Sequence, residues 1–313
     1  MPDDPGSARS YLVVCLNPVI QTTLVFGRLA KGEVNRTSEY RVDPSGKGIN
    51  AARVLGQVGR RAINLTQLGG PARDWFLAMC GADGLELRWV ESGADIRFCS
   101  TIVDVADGSA TELVEEARPV AEGTAERILA EFDRILPEAA TVMLSGTKAA
   151  GFPAGVMPEM ARRAARAGKR IILDIKGRDL LDCLPFRPAV VKPNLEELLQ
   201  TYAPDKAGAW RSEANEGAMR DLVAGIGREY KERHGAWLVV TRGDRPSLFW
   251  DGSGLRECPV LPVAVLNPIG SGDSFNVGVA TALEDGATIA EAVAEGTRLG
   301  SLNAERLKPG SII

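Results

Sequence analysis

Asn267-Pro268-Ile269-Gly270-Ser271-Gly272-Asp273-Ser274-Phe275 is the stretch around which this 313-residue chain is organised. The apolar, β-branched run Leu261–Leu266 before it predicts a strand. Asn276–Leu283 (NVGVATAL) after it predicts a helix of small residues packed closely against a neighbour. Two glycines at the junction permit positive φ and turn successive backbone N–H groups the same way. Amides so aligned, backed by the positive end of a helix, make an anion site. Asp273 sets a carboxylate at the edge of that site, where it would repel a docked anion. Phosphoryl transfer gives a reason to keep both: the amides hold the transferring group and the carboxylate takes the proton of the attacking hydroxyl. Capping the helix is the plain alternative for Asp273. From these nine residues the two readings stand level.

A second turn-into-helix junction lies upstream. Asp43-Pro44-Ser45-Gly46-Lys47-Gly48-Ile49-Asn50 opens a helix over Ala51–Val58, and Lys47 between two glycines is poised to meet a phosphate, although a solvated surface lysine is the commoner case. From Ala121 onward strands alternate with amphipathic helices. The strands are Thr141–Leu144, Arg170–Asp174, Ala189–Val191 and Ala236–Thr241; the helices are Ala125–Ile135, Ala154–Ala167, Asn194–Thr201 and Glu213–Arg233. Such alternation predicts a parallel sheet covered on both faces, with ligands at the carboxyl ends of its strands. The stretches Ser145-Gly146, Asp174, Lys192–Asn194, Thr241–Asp244 and Gly270–Asp273 all fall there. By contrast Gln21–Phe26, Glu39–Val42, Leu85–Val90, Arg97–Val103 and Ala110–Glu115 follow one another without that alternation, with Asp107-Gly108 as a hairpin turn. They predict a small separate sheet interrupting the α/β pattern.

Composition limits the functions open to the chain. A net charge of −4 and a pI near 5.4 suit small ligands and give no sign of nucleic-acid affinity. The acidic, loop-like start has no basic n-region, and Tyr11–Leu16 is too short for a signal peptide or a membrane span. Five scattered cysteines without a CxxC pair read as reduced thiols of a cytoplasmic protein. His234 is the single histidine, which disfavours both a Ser-His-Asp triad and a zinc cluster. Neither GxxxxGK[ST] nor GxGxxG occurs.

LNP near the start, GEVNR, SGKGIN-AARVLGQVG, QLGG, LSGT, KPNLEEL, VVTRGD and GSGDSFNVG occur in this order. By this ordered set the chain resembles the PfkB family of carbohydrate kinases within the ribokinase-like superfamily, and most of all its 1-phosphofructokinase and tagatose-6-phosphate kinase branch. The resemblance runs from about Leu12 to the C-terminus. It implies a single ribokinase-like domain over 1–313, with a mostly parallel central sheet, helices on both faces and a β lid from about 17–43 and 93–119. It also implies ATP-dependent phosphorylation of a sugar phosphate. Asp273 matches the family's base, and Gly270, Ser271 and Gly272 its anion hole. Asn194 and Glu197 match the NxxE motif for magnesium and nucleotide phosphates, with Lys192 just before it. Thr241, Gly243 and Asp244 correspond to the loop bordering the nucleotide, and Asn303 lies near the expected adenine. Gly46, Lys47 and Asn50 match the sugar-site motif, and Arg97 stands where relatives bind the substrate's phosphate. A homodimer through the lid is in keeping with the family.

One departure bears on the substrate. The family's LNPxxD aspartate, which holds sugar hydroxyls, is Gln21 here. Either the pocket has adjusted, or the acceptor differs. LSGTKAAGFP and LDIKG add Lys148 and Lys176 near the strand ends, and the lid segment TELVEEARP is more charged than usual. A catalytically weak nucleotide- or sugar-binding protein is the second reading, and a kinase of an unphosphorylated sugar the third. The intact Gly270–Asp273, Asn194/Glu197 and Lys47 set speaks against the former, Lys47 and Arg97 against the latter.

Overall fold

The computed structural model describes residues 10–205 and 215–313. The acidic N-terminal start and the first two residues of the expected helix Glu213–Arg233 lie outside them. The chain runs β1 (Ser10–Cys15), β2 (Val19–Phe26), β3 (Tyr40–Ser45), α1 (Lys47–Gln57), β4 (Arg61–Leu68), α2 (Arg73–Ala82), β5 (Glu86–Glu91), β6 (Arg97–Asp104), β7 (Ser109–Val114) and α3 (Thr124–Ile135). Then come β8 (Thr141–Ser145), α4 (Val156–Arg166), β9 (Arg170–Asp174), α5 (Gly177–Cys183), β10 (Val190–Val191), α6 (Leu195–Tyr202) and α7 (Glu216–Glu229). The chain closes with β11 (Trp237–Arg242), β12 (Arg245–Trp250), β13 (Leu255–Cys258), α8 (Ser271–Glu284) and α9 (Ile289–Ala304).

Nine strands form one sheet in the order β13-β12-β11-β10-β9-β8-β1-β4-β5. All its pairings are parallel except the β11-β12-β13 meander at one edge. Alternate strand residues feed two cores, as the period of two requires. Leu12, Val14, Val142 and Leu144 pack with Ile128 and Phe132 of α3 and Met160 of α4. Tyr11, Val13 and Met143 face the other way, against Val54 of α1, Val277 of α8 and Val293 of α9. The strands are therefore buried on both faces, and their continuous apolar runs follow from that.

A four-stranded sheet, β3-β2-β6-β7, stands apart from the large one, as the spacing predicts. One of its expected members does not belong to it. Leu85–Val90, found as β5, pairs parallel with β4 and closes the edge of the large sheet. The connection through α2 makes it an ordinary strand–helix–strand crossover. A second expectation also fails. Leu261–Leu266 forms no strand, and Leu261, Val265 and Leu266 are exposed. Pro262 removes a ladder donor there, and Leu266 N bonds to Ala304 O of α9 instead. Apolar and β-branched character in this run reflects the wall of a cleft rather than a sheet.

The small-residue helix is present as α8 and packs on α9 at Gly278 and Gly296. A β-carbon on Gly278 would come 2.7 Å from Gly296 Cα and 2.8 Å from the Glu295 carbonyl oxygen. Backbone cannot yield as a side-chain tip can, so Gly278→Ala is expected to cost about 1–3 kcal/mol through overpacking. Urea unfolding of the two proteins at equal m-value would show it, and an unchanged midpoint would contradict this packing.

Candidate active site

The loop before α8 begins the site. Gly270 has φ 86°, a left-handed value that an L side chain rarely adopts, and any β-carbon there would collide with the Gly310 backbone. Asn303 holds the loop from behind. Its amide nitrogen donates to Ile269 O at 2.9 Å and Ser271 Oγ at 3.1 Å, while its oxygen accepts from Ser311 N at 3.0 Å. The resemblance set Asn303 near the adenine. Its side chain is fully buried and committed to the loop, and Gly300, Ser301 and Ala304 line the neighbouring cleft in its stead.

Asp273 lies in the first turn of α8, almost wholly buried at 6% exposure. It does not cap the helix: Gly270 is the N-cap, and the first-turn amides of Ser271, Asp273 and Ser274 donate to the backbone carbonyls of Pro268 and Gly270 rather than to a side chain. Its carboxylate instead accepts from Asn50 Nδ2 of α1 at 2.8 Å. Geometry thus removes the capping alternative. Burial and the negative charge of Asp174 push the Asp273 carboxyl up to about 7, against the opposing influence of Lys47, Asn50 and Lys192.

Opposite charges alternate beside it. Glu197 Oε1 and Asp174 Oδ1 lie 2.8 and 2.9 Å from Lys47 Nζ, and Lys192 Nζ lies 3.4 Å from Asp174 Oδ2. Burial alone would favour a neutral Lys47, but Asp174 and Glu197 outweigh it and hold the ammonium charged. Burial would likewise protonate Asp174, yet Lys192 and Lys47 keep its carboxyl below the usual range. The ammonium of Lys47 is therefore held between two carboxylates, while its partly exposed side chain lines the smaller of the two cavities at the site. Lys192, 2% exposed, faces the anion loop: a β-carbon on Gly272 would sit 3.7 Å from its Nζ. Asp174 ends β9 and was legible only as a strand-end carboxylate; its central place comes from the sheet that sets β9 beside β8 and β10.

Asn194 and Glu197 form a capping box at the start of α6. Glu197 N donates to Asn194 Oδ1 at 2.8 Å, and Asn194 N donates to Glu197 Oε2 at 3.0 Å. Among the described residues no group of three or more Asp, Glu, His or Cys could enclose a metal. A single carboxylate fits magnesium nonetheless, because that ion keeps several waters and leans on nucleotide phosphates.

Two cavities flank this chain of charges. A cleft of about 1200 Å³ is lined by Asn194, Thr241, Gly243, Asp244, Ser271 and Gly272, with Val260, Leu261 and Val265 as its apolar wall. Gly243 and Asp244 are the turn of the β11–β12 hairpin. A smaller cavity of about 160 Å³ is bounded by Lys47, Arg97, Ser145, Gly146, Asp174 and Lys176. Arg97 Nε, Ser145 Oγ and Asn17 Oδ1 are buried around it with no hydrogen-bond partner. Gly46, at φ 115°, brings the start of α1 against Cys15 at the end of β1. Gln21 is buried in the four-stranded sheet, where its amide donates to Thr101 Oγ1 at 2.9 Å, and it does not line the small cavity. Lys148 pairs with Asp179, away from both cavities.

Comparison with known proteins agrees with the motifs. The profile of the pfkB family carbohydrate kinases matches residues 13–312, and the chain belongs to that family. It is a sugar kinase, a phosphotransferase with an alcohol group as acceptor. Phosphofructokinase-2 from Escherichia coli in complex with fructose-6-phosphate superposes with a TM-score of 0.78 at 21% identity, over 96% of this chain and 95% of that one. A possible 1-phosphofructokinase from Thermotoga maritima gives 0.80 at 18% identity, over 96% and 93%. A ribokinase from the same organism gives 0.69 at 21%, over 97% and 95%. At these identities the likeness is one of fold. No helix among the described residues is long and apolar enough to cross a membrane.

A carboxyl held near 7 cannot accept a proton while it still carries one. With Asp273 as the proton acceptor, the role the resemblance implies, kcat/KM is expected to fall below about pH 7, approaching tenfold per pH unit. Because the Asn50 hydrogen bond favours the ionised form, Asn50→Ala should move that limb to higher pH. A pH–rate profile of both proteins checks this, and a limb that stays in place in Asn50→Ala would contradict it.

Proposed function

We propose that the protein transfers the γ-phosphoryl group of ATP to a hydroxyl of a sugar phosphate, in the manner of a 1-phosphofructokinase or tagatose-6-phosphate kinase. The observation that carries this reading is Asp273: a buried, uncapping carboxylate beside the amides of Gly270, Ser271 and Gly272, with the Lys192 ammonium facing them. Asp273 takes the proton of the attacking hydroxyl. The amides and Lys192 hold the transferring phosphoryl group and stabilise the charge spread over its oxygens. The large cleft takes the nucleotide, with Thr241, Gly243 and Asp244 along its edge. Magnesium, when bound, neutralises phosphate charge, and Glu197 would meet it through water.

Within the small cavity the partnerless Arg97 Nε and the nearby Lys176 suit the acceptor's existing phosphate. Lys47, already shared by Asp174 and Glu197, serves there as a cation that, with Lys192, keeps the buried Asp174 carboxylate charged. Exposed apolar side chains on the lid, Tyr40, Phe98, Leu113 and Val114, favour a homodimer through that sheet.

ADP release from Mg-ATP should occur with one of fructose 1-phosphate, fructose 6-phosphate or tagatose 6-phosphate and not with the free sugars. Asp273→Asn should lower the rate by about 10²–10⁴-fold. Turnover that survives Asp273→Asn would remove the base from this mechanism, and a preference for free sugars would remove the phosphate site.

The neutral Gln21 in place of an acid is the sequence feature behind a second reading, a changed acceptor bearing a group that a carboxylate would repel, although in this structure Gln21 bonds to Thr101 and lies outside the small cavity. A charged acceptor strengthens each hydroxyl hydrogen bond to about 1.5–3 kcal/mol, which a neutral amide does not match. Gln21→Asp is expected to leave hexose-phosphate turnover low if the acceptor differs. Markedly better turnover of ordinary hexose phosphates in Gln21→Asp, with no other substrate found, would defeat the idea.

A further inference from the structure

Arg53 lies one turn beyond Asn50 in α1 and is 4% exposed. Each nitrogen of its guanidinium is bonded: Nε to Asp83 Oδ2 at 2.9 Å, Nη1 to Pro309 O at 2.8 Å and to Asn50 Oδ1 at 3.2 Å, and Nη2 to Pro44 O at 2.5 Å. Ser45 Oγ also donates to Asn50 Oδ1, at 3.0 Å. The other end of that same amide, Nδ2, donates to Asp273. We propose that Arg53 is a positioning residue for the base, fixing the Asn50 side chain so that its nitrogen, and not its oxygen, meets the Asp273 carboxylate.

The chemistry of the donors decides this. An Asn side chain has an accepting end and a donating end that are nearly equal in shape, so only its partners choose between two orientations. Turned over, Asn50 would set a carbonyl oxygen against the Asp273 carboxylate and an NH₂ against Arg53. A hydroxyl such as that of Ser45 can rotate to accept, so Ser45 alone leaves the choice weak. A guanidinium has no acceptor and forbids the turned state. Its bonds to Pro44 in β3 and to Pro309 in the C-terminal tail also tie the amide to the root of the lid and to the segment behind the anion loop. The charged groups around the carboxylate are Asp174 at the end of β9, Lys47 of α1 and Lys192 after β10. None of them touches Arg53, so their influence stays constant when it is changed.

This inference rests on Asp273 acting as the base. Arg53→Ala would leave the Pro44 and Pro309 carbonyls without this donor and Asp83 with Lys308 alone, and could simply fail to fold. The test therefore uses Arg53→Lys and Ser45→Ala, each also made in the Asn50→Ala background, with Asp273→Asn alongside. Arg53→Lys should move the acid limb of kcat/KM upward by about half a pH unit, roughly a threefold loss below the limb, with KM for Mg-ATP unchanged. Ser45→Ala should move it less, in the same direction. With Asn50 already alanine, neither change should shift the limb further, since the amide they orient is gone. An Arg53→Lys limb that stays put, or one that shifts equally in the Asn50→Ala background, would overturn the proposal. Full activity of Asp273→Asn would instead overturn the base assignment.

Discussion

Two carboxylates, Asp174 and Asp273, are buried within one site, and the structure depends on how their repulsion is handled. Neither could stay ionised alone in that interior, where an unpaired charge costs several kcal/mol. The protein treats them unequally. Asp174 lies between two ammonium groups and keeps its charge; Asp273 has one amide donor and the field of its neighbour, and its proton is held more tightly. Two acids in one pocket with affinities pushed apart are what a site needs if one is to bind charge and the other to move a proton. Lys47 must come from the start of α1, Asp174 from the end of β9, Lys192 from just after β10 and Asp273 from α8. Only a sheet whose parallel strands end on one side brings these together.

That requirement explains the crowding on the α8 side. For Asp273 to reach Asn50, α8 must approach α1, and α9 must then lie tight on α8, which the facing Gly278 and Gly296 permit. The C-terminal tail fills the remaining gap: Gly310 lies against both Gly270 and the side chain of Asn50. Asn303 satisfies the loop carbonyl and the tail amide at once. The anion loop is thus shaped by groups that need never touch a ligand. On the proposed reading, packing sets the shape of this loop before any phosphate arrives, which is the kind of preorganisation that makes such donors effective.

Periodicity carried the sheet, its two covered faces and the separate small sheet, because burial on one or both faces writes itself into strand residues directly. Motif order carried the site loops. What it could not carry was partnership. Asn194 and Glu197 read as nucleotide and magnesium ligands, and in the structure they also form a capping box of the kind any helix can use. Lys47 reads as a phosphate ligand, and two sequence-distant segments also place carboxylates on it. Asp174 is unremarkable in the sequence, since its value comes only from the neighbours of β9. Leu85–Val90 and Leu261–Leu266 were misplaced for a related reason. An apolar run reports burial or contact with a ligand, and says nothing of which sheet, or whether any sheet, receives it.

The affinity of Asp273 for its proton follows from opposing demands. A fully paired carboxylate would be ionised at every working pH but a feeble base, because a partner that stabilises its charge lowers its pull on the substrate's proton. An unpaired one would stay protonated and idle. One donor from Asn50, and cations that serve Asp174 first, leave it between these limits. Neutral hydrogen bonding suits that role better than a direct salt bridge, since an amide steadies the anion by less than an ammonium does. The cost is that an amide can turn over, whereas an ammonium cannot. A site that relies on an asparagine to tune its base must therefore fix that asparagine from the other side, which is where the buried guanidinium of Arg53 stands.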